Sequence, residues 1–344
     1  MAKNVPVKTL IVAGEKINRL FHPNIDISTG DQIMDLAFEI FKRKSHSVDS
    51  LSCLICLALW LFSCGPLGTS DEGFSLEKHD GDGTIVVLRS QSRDTVLVQH
   101  ARRGIRPYIH PIMSPDGEVA MTEYSPGHHK HQTGLYWGLK KVNGRDYFMN
   151  WKEDYWQRVS ADVLVEAGIR VKWRTRYNLL DEKGNAILTE THTWSFREIE
   201  NKFVLDLEWT GAARTNVTME QFYVGGLFVR MPWREGVRGA VVNAVGQRNS
   251  EAEGQRAIWS DIGIQVEGLQ DLAHIAMLDH PDNNGFPIPW RVDNELGVGP
   301  SRQILGDWTI RQGETEVIRY RLIAYAGNLF PAQLNAAWKE FVCE

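Results

Sequence analysis

From residue 84 onward, apolar and polar residues alternate along the chain with a period of two. In the clearest case, 170–180, basic residues occupy one face and the opposite face consists of Val171, Trp173, Thr175, Tyr177 and Leu179. A glycine-containing turn at 181–185 follows, and 186–196 alternates again. Because successive side chains of a strand point to opposite faces, this pattern predicts a β-hairpin.

Other short runs rich in β-branched and aromatic residues predict further strands, at 84–89, 95–100, 203–209, 221–231, 274–279 and 316–325. After residue 65, helical spacing is clear at 331–341, where apolar residues recur at i, i+3, i+4 and i+7 behind a proline. Many strands with hardly any helices between them favour stacked antiparallel sheets. The sequence therefore predicts an all-β fold, a large antiparallel β-sandwich with few short helices, as a single domain over 83–344.

The first 64 residues have a different pattern, which is typical of a bacterial secretory signal. A basic run at 42–44 precedes an apolar run at 51–62, and the residues around Cys64 resemble a lipobox, whose cysteine is lipidated. We therefore expect an N-terminal extension with a lipoprotein-type signal at 1–64 and a polar linker at 65–82. Met34 is a natural alternative start. The other interpretation is an amphipathic helix followed by a buried apolar helix.

Composition and charge narrow the choice of partners and location. The 344 residues are 43% apolar and 24% charged, as in globular proteins, and the net charge of −5 argues against binding to nucleic acid. No apolar run is long enough for an ordinary membrane-spanning helix. Contact with a membrane is therefore expected only through the lipid anchor on Cys64, with the protein in the cell envelope, in the periplasm or on the outer surface.

The segment 106–148 contains three clustered imidazoles, those of His128, His129 and His131. In an extended backbone, His129 and His131 point to one side and His128 to the other. His129 and His131 could hold a divalent metal, because neutral imidazole is a good ligand for such ions. Alternatively, one of them could act as a general base while its neighbour binds a substrate hydroxyl. The simplest alternative is an exposed polar loop.

Six positions outside the histidine cluster are candidates for the same site, among them Arg106 in the motif Arg106-Pro107-Tyr108. His280 follows a predicted strand, and Asp261 could pair with an imidazole or act as a base. Arg230 follows two glycines in a predicted strand and could bind a carboxylate or a vicinal diol. Trp137 and Trp290 could stack on sugar rings if they lie on a concave face. Five of the six candidates also have an ordinary structural explanation. His280 could lie in a turn, Asp261 could form a surface salt bridge and Arg230 could be solvated. The two tryptophans could belong to the core.

Several separated motifs resemble the DUF6807 family, whose members are often called PmoA or methane oxygenase PmoA. They are Arg106-Pro107-Tyr108, His110-Pro111, His128-His129-Lys130-His131, Gly134-Leu135-Tyr136-Trp137-Gly138, Val142-Asn143-Gly144, Gly225-Gly226-Leu227-Phe228-Val229-Arg230, Trp259-Ser260-Asp261 and His280-Pro281-Asp282-Asn283. The family's histidine stretch usually reads HPHHRG, and Lys130 interrupts it here, so the role of each histidine stays open.

The resemblance implies a secreted or envelope β-sandwich protein of bacteria, whose relatives occur beside genes for sugar oxidoreductases and polysaccharide degradation. The methane label does not suit this chain. A particulate methane monooxygenase subunit has many apolar membrane helices, whereas this sequence has no such segment after Cys64.

Together, these features lead us to expect a carbohydrate-processing enzyme that acts on a small saccharide or an oxidised glycoside by hydrolysis, elimination or isomerisation. The expected catalytic residues are His129, His131, His280 and Asp261. The expected substrate-binding residues are Arg230, His128, Trp137, Trp290 and Arg106. A divalent metal on His129 and His131 is the cofactor that the sequence suggests. The alternatives are a non-catalytic carbohydrate-binding module and a metal-dependent oxidoreductase.

Overall fold

The computed structural model describes residues 73–344, which form strands joined by turns and by some longer loops. The strands are β1 (Phe74–His79), β2 (Thr84–Arg89), β3 (Thr95–His100), β4 (Tyr108–Ile112), β5 (Leu135–Gly138), β6 (Trp156–Val165), β7 (Ala167–Gly168), β8 (Arg170–Leu180), β9 (Ala186–Ile199), β10 (Lys202–Ala213), β11 (Val217–Met219), β12 (Gly226–Val229), β13 (Gly239–Asn243), β14 (Trp259–Gln265), β15 (Leu272–Asp279), β16 (Trp290–Val292), β17 (Val298–Pro300), β18 (Trp308–Ile310) and β19 (Thr315–Gly327). Short 3₁₀ helices occur at Glu153–Tyr155, Asn249–Glu251 and Arg302–Leu305, and the α-helix α1 spans Pro331–Cys343.

Two large sheets form the body of the fold. The larger has nine strands in the order β16-β17-β12-β5-β4-β3-β2-β1-β7, and the other has eight in the order β13-β14-β15-β19-β10-β9-β8-β6. Strands β11 and β18 form a small third sheet. Paired strands run antiparallel, as in the β8–β9 hairpin and the β10–β19 pair. The predicted all-β antiparallel sandwich is therefore confirmed.

The core lies between the two large sheets and is filled by the inward side chains of both. In β8 the predicted inward face is buried, and each of its five side chains is at most 1% exposed. From the nine-stranded sheet, Trp137 lies against Trp209 of β10, with ring centroids 4.6 Å apart. Removal of this apolar surface from water is the main favourable term in folding, and the period of two decides which residues contribute to it.

The outer faces of the two sheets, which point away from this core, are covered differently. On the nine-stranded sheet, Tyr136 and Phe228 point outward into a separate aromatic cluster, because the residues beside them in β5 and β12 point into the core. On the eight-stranded sheet, the outward Leu278 packs against Leu334 and Phe341 of α1. A side chain that points outward from one sheet is therefore separated from the other outer face by the whole core.

Two predicted boundaries need correction. The predicted linker at 65–82 contains β1, where Phe74 and Leu76 are each 4% exposed and the strand pairs with β2. Two apolar residues among polar neighbours gave too weak a pattern for a strand to be predicted. The predicted strand at 221–231 is a strand only in β12, because the chain before it bends at Tyr223.

The prediction for the N-terminal part lies outside the described residues. This applies to the extension and signal at 1–64 and to lipidation of Cys64. Residues 73–344 belong to one unit. In this part of the chain, no helix is long and apolar enough to cross a membrane.

Candidate functional site

The three clustered histidines lie in a loop between β4 and β5, here called the histidine loop (residues 125–132). An isolated bridge between Tyr124 and Thr133 closes the loop. Just inside it, the Ser125 N–H donates to the carbonyl of Gln132 at 2.7 Å. The backbone between these points is turned rather than extended. The alternation of side chains expected for an extended strand therefore does not apply to the histidines.

The turned backbone brings all three imidazoles together. His128 Nδ1 and His129 Nδ1 are 2.8 Å apart and share a hydrogen bond, so His128 lies beside His129 and not on the opposite side as predicted. The ring centroids of His129 and His131 are 5.7 Å apart. His128 is exposed, whereas His129 and His131 are half-buried.

Burial keeps two of these imidazoles neutral. It lowers the pKa of His131 to about 4, and the nearby Arg106 guanidinium acts in the same direction. Burial and the positive charge of Arg230 also lower the pKa of His128. Both rings are therefore uncharged at neutral pH, the form that can accept a proton or bind a metal.

Arg106 supports the histidine loop from below. It is 1% exposed, and its guanidinium donates to the carbonyls of Phe148 at 2.5 Å and His131 at 2.8 Å. It also stacks on the ring of Tyr136, with its Cζ 3.7 Å from the centroid. These contacts occupy the guanidinium, so the structure places Arg106 under the loop and not on the substrate-facing surface predicted from the sequence.

Arg230 connects the histidine loop to a second loop. Its side chain is fully buried, and it donates to Gln132 Oε1 and to Asp293 Oδ2, each at 2.5 Å, and to the carbonyl of Glu295. The Arg230 N–H also donates to the carbonyl of Gly134 at 2.9 Å. The predicted role in binding a substrate carboxylate or diol is therefore not supported, because protein groups already accept these hydrogen bonds.

The second loop is a tight turn between β16 and β17, here called the carboxylate turn (residues 293–297). Asp293 is 8% exposed and Glu295 is half-buried. One ligand atom from each of these carboxylates and from His129 lies within 4.8 Å of the others. Sequence reasoning missed both acids, because an Asp-Asn-Glu-Leu-Gly segment is also an ordinary turn sequence. Its proximity to His129 depends on a contact across more than 160 positions.

Aromatic side chains surround the histidine loop on the outer face of the nine-stranded sheet. Tyr124 is 40% exposed, and its ring centroid lies 6.1 Å from that of Trp151 and 5.9 Å from that of His110. Trp233 lies on the other side, with its ring centroid 5.4 Å from that of His128. No pattern in the sequence distinguishes these rings, which offer partly exposed apolar surface beside the imidazoles.

The two tryptophans predicted to stack on sugar rings lie in the core instead. Trp137 is 2% exposed and covered by Trp209. Trp290 is 0% exposed, and its indole N–H donates to the carbonyl of Ala257 at 2.8 Å. Both are inward residues of their strands, so neither ring has a face available to a ligand. The alternation of side chains along β5 and β16 places both indoles in the core between the sheets.

Asp261 and His280 do not join the histidine loop. Asp261 points outward from the eight-stranded sheet, where its carboxylate accepts hydrogen bonds from Tyr325 at 2.9 Å and contacts His274 Nδ1 at 2.7 Å. The His280 ring packs against Phe341 of α1, with centroids 5.0 Å apart. The predicted convergence of His280 and Asp261 with the clustered histidines is therefore wrong, because they lie on opposite outer faces of the sandwich.

Comparisons with solved structures find matches at low identity and low TM-score. One is a galactose mutarotase related enzyme from Lactobacillus acidophilus, with 6% identity and a TM-score of 0.32, covering 74% of this chain and 100% of that one. Another is an α-galactosidase from Lactobacillus brevis, with 9% identity and a TM-score of 0.38, covering 73% of this chain and 40% of that one. A third is a GH36 α-galactosidase from Geobacillus stearothermophilus in complex with raffinose, with 8% identity and a TM-score of 0.33, covering 74% and 41% of the two chains.

This chain spans well under half of the two α-galactosidases. A search of curated proteins finds no match. A family model described as a family of unknown function, DUF6807, matches residues 86–339, which confirms the resemblance seen in the motifs. The chain belongs to the DUF6807 family.

Proposed function

We propose that this protein is a carbohydrate-processing enzyme whose active site lies at the histidine loop. One observation supports this most directly. Three imidazoles, two carboxylates and partly exposed aromatic rings lie together on the outer face of the nine-stranded sheet. Proton-transferring groups beside apolar ring faces suit a sugar, which has ionisable hydroxyls and apolar C–H faces.

The proposed chemistry is hydrolysis, elimination or isomerisation of a saccharide or an oxidised glycoside. Each of these reactions moves a proton to or from the substrate. His129 and His131 are the proposed proton-transferring residues, and the neutral His131 ring is in the form that accepts a proton. Tyr124, Trp151 and Trp233 would contact the sugar ring. Arg106 and Arg230 would act as positioning residues through their hydrogen bonds to the histidine loop.

Turnover of a panel of neutral sugars, uronic acids and 3-keto-glycosides tests this proposal. His129→Ala and His131→Ala should each lower turnover by about 10²-fold or more, as expected for loss of a general acid or base. The matched control is His79→Ala, because His79 is an exposed histidine on β1. Unchanged turnover in both loop variants, with a control that behaves like the wild type, would refute the assignment.

The partly exposed rings of Tyr124, Trp151 and Trp233 also favour a second candidate, a carbohydrate-binding module without catalysis. It predicts saccharide affinity that is lost in Trp233→Ala and kept in His131→Ala, with no turnover of any substrate. The third candidate, a metal-dependent oxidoreductase, requires a redox-active metal and an oxidised or reduced product. Product analysis in the same assay distinguishes the three candidates.

The cell envelope is the proposed location, on the basis of the lipobox-like residues around Cys64. Labelling with radioactive palmitate in a bacterial host should mark the full chain and not a Cys64→Ala variant. Label in both proteins, or in neither, would refute lipidation at this cysteine.

A further inference from the structure

His129 and the two acids of the carboxylate turn lie close together, although the side-chain partners of His129 and Asp293 are His128 and Arg230. Their ligand atoms all lie within 4.8 Å of one another. By contrast, His129 is hydrogen-bonded to His128 through Nδ1, and Asp293 pairs with Arg230. Two atoms that bind one metal ion through bonds of about 2.1 Å lie about 3 to 4.2 Å apart. Small rotations of the half-buried His129 and Glu295 side chains would bring the three groups to that spacing.

Asp293 is held in place by the fold. Its Oδ1 accepts hydrogen bonds from the N–H groups of Glu295 at 3.0 Å and Gly297 at 2.6 Å. Its Oδ2 accepts from Arg230. A Cβ at Gly297 would lie 2.6 Å from Asp293 Oδ2 and 2.4 Å from the Arg230 guanidinium, so a larger residue would displace this buried ion pair. The carboxylate is therefore fixed before any ligand arrives, which is the condition for a pre-organised site.

The local charge also favours a cation. Asp293 and Glu295 contribute two negative charges, and Arg230 compensates one of them through its salt bridge with Asp293. One negative charge therefore remains on the carboxylate turn beside His129. The hydrogen bond between His128 and His129 fixes the orientation of the His129 ring, as hydrogen-bonded partners do for metal-bound imidazoles.

We propose that His129, Asp293 and Glu295 bind one divalent transition-metal ion at the centre of the active site. This differs from the pair predicted from the sequence, because Asp293 and Glu295 take the place of His131. One imidazole and two carboxylates match the preferences of Zn²⁺ and Mn²⁺, whereas Mg²⁺ and Ca²⁺ prefer oxygen ligands alone. His131, whose ring lies 5.7 Å from that of His129, stays free for proton transfer.

The inference rests on the proposed function only for the role of the ion. Binding of the metal is measured without any saccharide. Protein treated with chelator and then dialysed should bind one Zn²⁺ or Mn²⁺ per chain in isothermal titration calorimetry. Glu295→Gln and His129→Ala should each weaken the Kd by at least about tenfold. Glu182→Gln is the matched control, because Glu182 is an exposed acid in the β8–β9 turn.

The outcomes separate the two proposals. Absence of binding at millimolar Zn²⁺ and Mn²⁺, equal binding by all variants, or a preference for Mg²⁺ would overturn the metal site. Far-ultraviolet circular dichroism checks that each variant is folded. Stoichiometric metal binding that Glu295→Gln weakens, without turnover of any sugar, would support the metal site and refute the proposed function. Turnover that is insensitive to chelator would support the function and overturn the role of the ion in catalysis.

Discussion

Substitution of Arg230 by methionine would test whether this side chain is structural, as its contacts indicate, or binds substrate, as the sequence suggested. Methionine fills much of the volume of the arginine stem but cannot donate hydrogen bonds. The change removes the charged donor from Gln132, Asp293 and the Glu295 carbonyl. It therefore leaves Asp293, which is 8% exposed, without its opposite charge.

The expected loss of stability follows from this burial. Removing one partner of a buried ion pair lowers the free energy of unfolding by about 3–5 kcal/mol, because the remaining charge has lost its solvation and its partner. Arg319 provides the comparison, since its side chain is 40% exposed and pairs with Glu208 at the surface. An exposed pair of this kind contributes about 0–1 kcal/mol, so Arg319→Met should change stability by no more than that.

Equilibrium unfolding in guanidinium chloride, followed by tryptophan fluorescence, measures both variants. A second substitution tests the cause. The double variant carries both Arg230→Met and Asp293→Asn. If the unpaired Asp293 charge is responsible, its loss of unfolding free energy should be about 0.5–3 kcal/mol smaller than the sum of the losses in the two single variants. The reasoning is refuted if Arg230→Met loses less than about 1 kcal/mol, or if the double-variant cycle shows no coupling.

Two further predictions concern pH and backbone geometry. Burial raises the pKa of Asp279 from 3.8 to about 7, so the folded state holds this proton more tightly than the unfolded chain. The free energy of unfolding should therefore fall by up to about 4 kcal/mol as pH rises from 4 to 7, and Asp279→Asn should remove this slope in denaturant titrations. Gly134→Ala should destabilise the protein by at least about 1 kcal/mol more than Gly117→Ala. Both glycines have φ near +80°, but only at Gly134 would a Cβ meet a backbone oxygen, at 2.5 Å; equal thermal shifts would contradict this.

Local pattern was enough to predict eight of the nineteen strands, among them the long strands of the β8–β9 hairpin, and the final helix. The bounds of β2, β3 and β8 agree with the prediction, and α1 begins at the predicted Pro331. These elements can be predicted from the sequence because alternation along a strand and i, i+3, i+4 spacing along a helix involve residues that are close together in the chain. The weakest patterns failed, as in β1, where only Phe74 and Leu76 mark the buried face.

The site was only partly predictable. The histidine loop stood out by composition, and the three imidazoles do lie together. Their partners Asp293 and Glu295 could not be found in this way, because their place beside the loop depends on how β16 and β17 join the nine-stranded sheet. The functional assignment of Arg230 also failed, since no local pattern distinguishes a buried arginine with protein partners from one that faces a ligand.

The sequence by itself determined the fold class, the family and the segment that contains the histidines, because each of these depends on residues close together in the chain. Only the tertiary structure decided which side of each sheet a side chain occupies relative to the rest of the molecule. Stacking of the two sheets buried Trp137 between them and separated His280 from His129 on opposite outer faces. The alternation of side chains along a strand determines which residues share a face of the sheet. The packing of the two sheets, and the path of the chain from one sheet to the other, determine which faces are in contact.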